Sequence, residues 1–471
     1  MADRWPLADW SDHSGFSLRP LVTRNRLRLL FALVLLVAAA SLVVASAGNL
    51  STATQSDVPR APPTENHTVV TESGRAGTIT VYEPNGDVLY YDNERTKYFD
   101  VDPVPGDPMT IEYTASDTIH TAGPTCREPP CTRNVFERVD LETGAVETIY
   151  ERYDYKENAG EWHDAARINE THVAIADIVA DQVFVVNTET ELVEWLWDAQ
   201  ADFPLDGGGP YPGDWAHIND VEYVDAPGDP NDGRIVASLR NQDQVVFLDP
   251  QAGLVDDWTL GAEDDYDVQY EQHNPDYIPE SRGGPALVVA DSENGRVQEF
   301  QREDGEWVRS WEWADGTIQW PRDADRLPNG NTLIADSHGQ RVIEVNPSGE
   351  IVWEVPSTLP YEAERLETGS ESAGGQSAAA LGLDSRTATA SANGGHILST
   401  PARMAEDLVE WLLPHRVYNG LLFATPAWMG GAEFAVVAIA LLVAVGWIGA
   451  EVKWKLHDAG VRFRSPIYRR E

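Results

Sequence analysis

The sequence predicts an all-β fold, a six-bladed β-propeller flanked by two transmembrane helices. A degenerate repeat and one apolar segment near each end predict it; a strongly acidic composition adds its setting. The repeat lies between His163 and Val355. Its copies open on WHDAARI from Trp162, INDVEYV from Ile218, QHNPDYI from Gln272 and PRDADRL from Pro321. Apolar second segments follow, HVAIAD, RIVASL, LVVADS and TLIADS, sharing Ala176, Ala237, Ala290 and Ala335. Third segments read QVFVV, QVVFL, RVQEF and RVIEV, and fourth segments centre on Trp195, Trp258, Trp311 and Trp353. Four short β segments in roughly 45–60 residues match the period of a propeller blade. Two less regular blades precede them. TITVYEPNGDVLYYDN from Thr78 carries an Asn-Gly hairpin turn. TIEYTASDTIHT from Thr110, with VFERVDLETGAVETIY from Val135, supplies the other. The propeller is placed at residues 66–365.

The apolar segment Leu29–Ala47 follows Arg24, Arg26 and Arg28, and the segment Phe434–Ala450 precedes Lys453, Lys455, Arg462, Arg464, Arg469 and Arg470. Each is near the length that crosses a hydrocarbon core of about 30 Å. The flanking basic residues put both termini in the cytoplasm and the propeller outside the cell membrane. A cleaved signal peptide is the rival for the first segment, since Ala-Ser-Ala precedes Gly48. The expected order is a cytoplasmic tail (1–24), a transmembrane helix (25–48), the propeller (66–365) and a flexible Ser-, Gly- and Ala-rich linker (366–400). An amphipathic interfacial segment (401–429), a second transmembrane helix (430–451) and a basic cytoplasmic tail (452–471) follow. Trp411, Tyr418, Phe423 and Trp428 are expected in an interfacial aromatic belt. Sequons at Asn49, Asn66 and Asn169 fall in the external portion, as do Cys126 and Cys131, which are close enough to form a disulfide.

Asp and Glu number 77 against 34 Lys and Arg, a formal net charge of −43. The only lysines are Lys97, Lys156, Lys453 and Lys455. This balance repels phosphate and excludes a nucleic-acid partner. Its spread through patterned strands fits a halophilic source, where salt shortens the range of self-repulsion.

The opening strand of a blade is the innermost, so its first residues sit at a mouth of the channel. Aligned on the shared alanines, His163, Asn219, His273 and Arg322 become equivalent, as do Asp164, Asp220, Asn274 and Asp323. His217 overhangs the same mouth from the preceding loop. Imidazole serves as nucleophile or acid–base, and a guanidinium is a planar fork for an oxyanion such as sulfate. The aspartates are expected mainly to bond neighbouring blades. His338, in the turn DSHGQR, is expected exposed, and His120 is a weaker channel candidate. No metal site or cofactor is expected, because two cysteines are too few for a zinc site and no phosphate-binding glycine loop occurs.

HDAAR, AHINDVEY, QHNPDYI and WPRDADRLPNGNTLIADSHGQRVIEVNPSGEIVWEV together resemble the arylsulfotransferase (aryl-sulfate sulfotransferase) family, in its halophilic archaeal, membrane-anchored form. The resemblance covers roughly residues 70–360. It implies a six-bladed propeller that moves a sulfuryl group from an aryl sulfate to a phenolic or other hydroxyl acceptor. No nucleotide donor is used, and a sulfohistidine forms transiently. Carried onto this sequence, it makes His273 the nucleophile, His163 a supporting histidine, and His217 or Asn219 the intermediate position. Arg322 becomes the anion clamp, and Asn219 and Asn274 substrate contacts. The implied partners are the small-molecule donor and acceptor, besides membrane lipid. Two other classes fit a propeller: a non-catalytic module binding a surface glycan or protein, and a hydrolase or quinone-dependent oxidoreductase. A metal-dependent hydrolase would draw its ligands from Asp164, Asp220 and Asp323.

Overall fold

The computed structural model describes residues 23–53, 60–74, 77–155, 160–387, 409, 412–426 and 428–461. The chain forms two compact units. The larger comprises residues 56–399 and 413–427, the smaller residues 1–55, 400–412 and 428–471.

The larger unit is a propeller of six antiparallel sheets. Their inner strands, in ring order, are Pro360–Arg365, Lys97–Val104, Trp162–Arg167, Ile218–Tyr223, His273–Ile278 and Pro321–Arg326. Middle strands are covered on both faces by neighbouring blades, so they are apolar runs without polar alternation. Ala286–Asp291 is buried throughout, whereas the outer strand Leu192–Asp198 is largely exposed. The shared alanines at 176, 237, 290 and 335 are fully buried. Trp311 and Trp353 are buried with them, while Trp195 and Trp258 are only partly covered. The ring is closed by joining the two ends of the propeller segment. Pro360–Arg365 pairs with Thr68–Glu72, setting Thr68 opposite Arg365 and Val70 opposite Ala363.

Every inner strand is interrupted near its start by a bulge. The register skips Phe99–Asp100, His163, Asn219, Asn274–Pro275, Arg322 and Tyr361–Glu362. A bulge leaves residues unpaired and re-aims their side chains. Below the bulge Ala166, Glu222, Asp276 and Asp325 pair with Ala174, Val236, Val288 and Leu333. Counting back along each strand therefore keeps Asn274 level with Asp164, Asp220 and Asp323, and His273 level with His163, Asn219 and Arg322.

Residues 366–387, within the expected flexible linker, are instead packed on the propeller. They form a 3-10 turn at Glu371–Gly374, a short helix at Ala378–Leu381 and a strand at Arg386–Thr387 parallel to Glu306–Ala314. The glycines serve close approach here. A Cβ on Gly375 would lie 2.0 Å from the Arg326 carbonyl oxygen. Residues 388–400 lie outside the described residues. Within the expected interfacial segment, the described helix His415–Ala424 belongs to the propeller unit. Tyr418 is buried there, which removes it from an interfacial belt, while Phe423 is exposed; Trp411 lies outside the described residues. Cys126 and Cys131 are disulfide-bonded. His120 is exposed at the end of its strand, away from the channel, correcting its candidacy. Asn169 is exposed and Asn66 half-buried, and the Asn49 side chain lies outside the described residues.

In the smaller unit, helices Arg24–Ala53 and Gly431–Asp458 are long and apolar enough to cross a membrane. They run antiparallel. Arg24 meets Asp458 at 2.6 Å, Arg28 Nη2 meets Glu451 Oε2 at 2.7 Å, and the rings of Phe31 and Trp447 lie 5.9 Å apart. The start of the first helix and the end of the second therefore share one side.

Candidate active site

The bulges and the turns before them gather an aromatic and cationic cluster at one mouth of the channel. His217 and Trp320, each just ahead of an inner strand, have φ of 51°, and Asn274 has φ of 34°. Left-handed backbone costs a non-glycine residue about 1–2 kcal/mol and persists where its surroundings hold it. Here it turns His217 and Trp320 over the opening. Tyr361 is the hub. Its ring centroid lies 5.5 Å from that of His163, 6.3 Å from that of His273 and 5.2 Å from the guanidinium carbon of Arg322. His163 meets His217 at 5.0 Å and stacks on Phe99 at 4.6 Å. Trp320 lies 5.8 Å from His273, 4.3 Å from His338 and 4.6 Å from the Arg322 guanidinium.

Hydrogen bonding fixes the tautomer of His273. Nδ1 is 2.8 Å from Ser292 Oγ and 3.2 Å from the Glu271 carbonyl. Ser292 Oγ donates its own proton to Pro321 O at 2.7 Å, so it accepts from the imidazole, as the carbonyl must. Nδ1 therefore carries the proton and Nε2 keeps its lone pair. Burial, with Arg322 next, holds His273 well below the usual histidine range. His163 is lowered by burial and by His217, and its Nδ1 is unpartnered. His217 bonds Asp214 through Nδ1 at 2.5 Å and leaves a buried Nε2 unpartnered. Burial and then Arg240 lower the His217 pKa against the pull of Asp214.

Arg322 is 7% exposed, and among the described residues it has no carboxylate partner. The buried Arg326 and Arg365, by contrast, are paired with Glu299 and Glu344. Arg322 donates to Ser73 Oγ at 2.5 Å, and its Nε is unpartnered. Burial lowers its pKa to about 10, which leaves it cationic at neutral pH. A buried guanidinium that lacks a protein anion, ringed by unpartnered imidazole and indole nitrogens, is equipped to hold an oxyanion.

The structure thus brings His163, His217, His273 and Arg322 together. It turns the two asparagines elsewhere. Asn219 Nδ2 donates to Gln272 O at 3.0 Å and ties two blades, while Asn274 points its amide nitrogen at Glu362 Oε2, 3.4 Å away. The expectation that His338 is exposed is corrected. Its backbone N–H bonds Gln319 O at 3.0 Å, which folds the DSHGQR turn inward and leaves the side chain 9% exposed with both ring nitrogens unpartnered. Sequence reasoning missed Phe99, Tyr361, Trp320, Ser292 and Asp214. Only Asp214, three residues before His217, carried a sequence signal.

The helix His415–Ala424 lies beside this mouth. Arg416 pairs with Glu271 at 2.8 Å, Asn419 donates to Glu293 at 2.9 Å, and the Phe423 ring meets Trp320 at 6.1 Å. Glu271 is the residue whose carbonyl holds His273.

The fold is a six-bladed propeller whose channel mouth carries a buried guanidinium and three imidazoles. Residues 163–314 match the family model described as arylsulfotransferase (ASST), which supports a sulfotransferase acting on small-molecule substrates. Among curated proteins none matches the chain. Solved structures similar to it include a protein of unknown function from Bacteroides caccae. It is 12% identical, with 63% of this chain and 97% of that chain covered and a TM-score of 0.42. A periplasmic gluconolactonase, PpgL, of Pseudomonas aeruginosa is 12% identical, with 64% and 98% covered and a TM-score of 0.40. A nidogen/laminin complex chain is 13% identical, with 63% and 97% covered and a TM-score of 0.42. At these values the structural likenesses carry no functional argument.

Proposed function

We propose that the chain is a membrane-anchored, extracytoplasmic sulfotransferase that moves a sulfuryl group from an aryl sulfate to a hydroxyl acceptor through a sulfohistidine at His273. The observation that carries this reading is the pairing of Arg322, buried without a carboxylate, with a His273 whose Nε2 lone pair is free. In the first step Nε2 attacks sulfur, the N–S bond forms and the S–O bond to the aryl group breaks. The positive charge gained by the ring stays on Nδ1–H, against the Glu271 carbonyl and Ser292. Arg322 and His163 stabilise the charge on the sulfuryl oxygens. His217 enters this step as the imidazolium, its Nδ1–H held by Asp214, and gives its Nε2 proton to the departing phenolate. In the second step it takes one from the acceptor hydroxyl as the new S–O bond forms and the N–S bond breaks. One proton cycles and the enzyme is restored. The antiparallel helices support both termini lying on one side of the membrane, and the flanking basic residues favour the cytoplasmic side.

Incubation of the full chain with a chromogenic aryl sulfate in high salt, quenched at alkaline pH, should leave sulfuryl mass on the His273 peptide. Transfer without that adduct, undiminished in His273→Ala, would reject the assignment. No adduct and no transfer at any acceptor would favour a binding module.

A further inference from the structure

Beyond the bulges the same inner strands build a second, chemically opposite layer. Strand alternation sends every second side chain to one face, so Asp323 and Asp325 face the axis together, as do Glu362 and Glu364. Asp100, Asp102 and Asp276 join them from other blades. From the far side Glu371 enters with φ of 50°, and its N–H donates to Glu364 Oε1 at 2.5 Å. Ser372, next to it, hydrogen-bonds Asp276 and accepts from Arg326 N at 2.6 Å. Carboxylate oxygens of Asp276, Asp325 and Glu371 lie within 4.8 Å of one another, as do those of Asp102, Glu364 and Glu371.

Proximity of acids is not by itself a site, but these oxygens are also unsatisfied. Among the described residues no donor reaches either oxygen of Asp325, which is fully buried, nor Asp276 Oδ1, Asp102 Oδ1, Glu364 Oε2 or Glu371 Oε2; their polar neighbours are other carboxylates. The amide oxygen of Asn274 is a neutral addition. It is fully buried and unpartnered, with its nitrogen directed at Glu362 in the same layer. Nearby guanidiniums are committed to other carboxylates, Arg326 to Glu299 at 3.1 Å, Arg365 to Glu344 at 2.6 Å and Arg167 to Glu112 at 2.5 Å. A buried negative layer without counter-charge is strongly unfavourable. A cleft of about 1390 Å³, lined by Asp102, Glu222, Ser370 and Glu371, gives solvent access to it.

We propose that this carboxylate floor binds a hard divalent cation of the Ca²⁺ class, with Glu371 as the shared ligand. Asp276 and Asp325 complete one side, and Asp102 and Glu364 the other. An all-oxygen set excludes the softer metals, which prefer imidazole or thiolate. The irregular carboxylate supply suits Ca²⁺, which takes 6–8 oxygens in flexible geometry, better than Mg²⁺, which demands an octahedron. The ion would staple the Glu371 turn to the closing strand and to the second, fifth and sixth blades around the ring.

The test uses the full chain in detergent and multimolar KCl, stripped with EDTA and dialysed free of it. Calcium uptake is measured by equilibrium dialysis with elemental analysis, and melting is followed with CaCl₂, MgCl₂ or neither. Stoichiometric Ca²⁺ and a Tm rise of roughly 5 °C over the Mg²⁺ sample are expected. Asp325→Asn and Glu371→Gln should lose at least tenfold in Ca²⁺ affinity, and Ca²⁺ should no longer raise their Tm. A layer held together by shared protons would instead leave the wild-type melt indifferent to Ca²⁺, with both variants equally or more stable. That result, an equal Mg²⁺ response, or a Ca²⁺ response retained in both variants overturns the proposal. Should the variants not fold, wild-type uptake and its Ca²⁺-specific melt decide alone.

Discussion

The mouth and the floor of the channel arise from the same inner strands, about three residues or ~10 Å apart along each, yet they carry opposite chemistry. At the mouth sit imidazoles and a guanidinium with no carboxylate beside it. At the floor sit carboxylates with no guanidinium free for them. In a chain of net charge −43 an acidic floor is the ordinary outcome and the mouth is the exception. The difference teaches how a propeller separates two environments. Bulge residues such as His163 and Arg322 set the mouth, while the floor is set by residues at and past the bulge, Asp100, Glu362, Asp325 and Glu364 among them. A change in one bulge residue alters the mouth without moving the register below it.

The comparison breaks first at His273. His273→Ala should lower transfer by on the order of 10⁴-fold or more while the melt stays near wild type, because removing a nucleophile removes the covalent route. Retained turnover in a chromogenic assay would return the mouth to a structural role. Arg322→Gln should cost about 10²–10³-fold in kcat, the scale of losing one charge-stabilising donor. If its main effect is instead a lost melt, the guanidinium serves packing between Trp320 and Tyr361. Asp214→Asn should cost roughly tenfold to a hundredfold. It also withdraws the group that favours the imidazolium of His217, so the alkaline limb of the pH–rate profile should move to lower pH. An unmoved limb would remove His217 from proton transfer.

The smallest effect concerns stability against pH. Burial, with Arg322 adding, lowers His338 to about 3. Between about 6.5 and 3 the unfolded chain then binds more protons than the folded one, so this contribution is present at neutral pH and lost as pH falls. Asp323 at the floor has the reverse sign. Burial raises it to about 7, so its contribution is present below the ordinary carboxylate value and lost as pH rises through 7. His338→Leu should flatten the acid limb of the stability curve by about 3 kcal/mol at pH 4. Urea denaturation at pH 7 and pH 4 measures it, and an unchanged difference between the two would mean that His338 takes up its proton in the folded state.

Much of the blade plan was legible because the middle strands are buried on both faces, and that burial writes apolar runs with a fixed alanine every blade. The opening strands were legible as positions but not as directions. QHNPDYI places Asn274 level with Asp164, but nothing in it says that the amide turns to Glu362. Tyr361, Phe99 and Trp320 escaped notice because their contacts join blades distant in sequence. His338 looked like a loop tip because a turn's direction depends on the backbone it bonds, here Gln319. The 366–375 stretch looked flexible because glycine permits both freedom and close approach, and only the position of the Arg326 carbonyl distinguishes them.

The closing strand gives the molecule a sense of time. The antiparallel strands of blades two to six can each assemble from contiguous chain as it is synthesised. The three strands between Thr68 and Asp92 must wait for Pro360–Arg365 to emerge before their sheet is complete. Ser73, Tyr361 and Arg322 meet across that late seam. A competent pocket therefore reports that synthesis has run to the end of the ring. A chain stopped before Pro360 would carry His163, His217 and His273 and still lack Tyr361, the aromatic hub that gathers them.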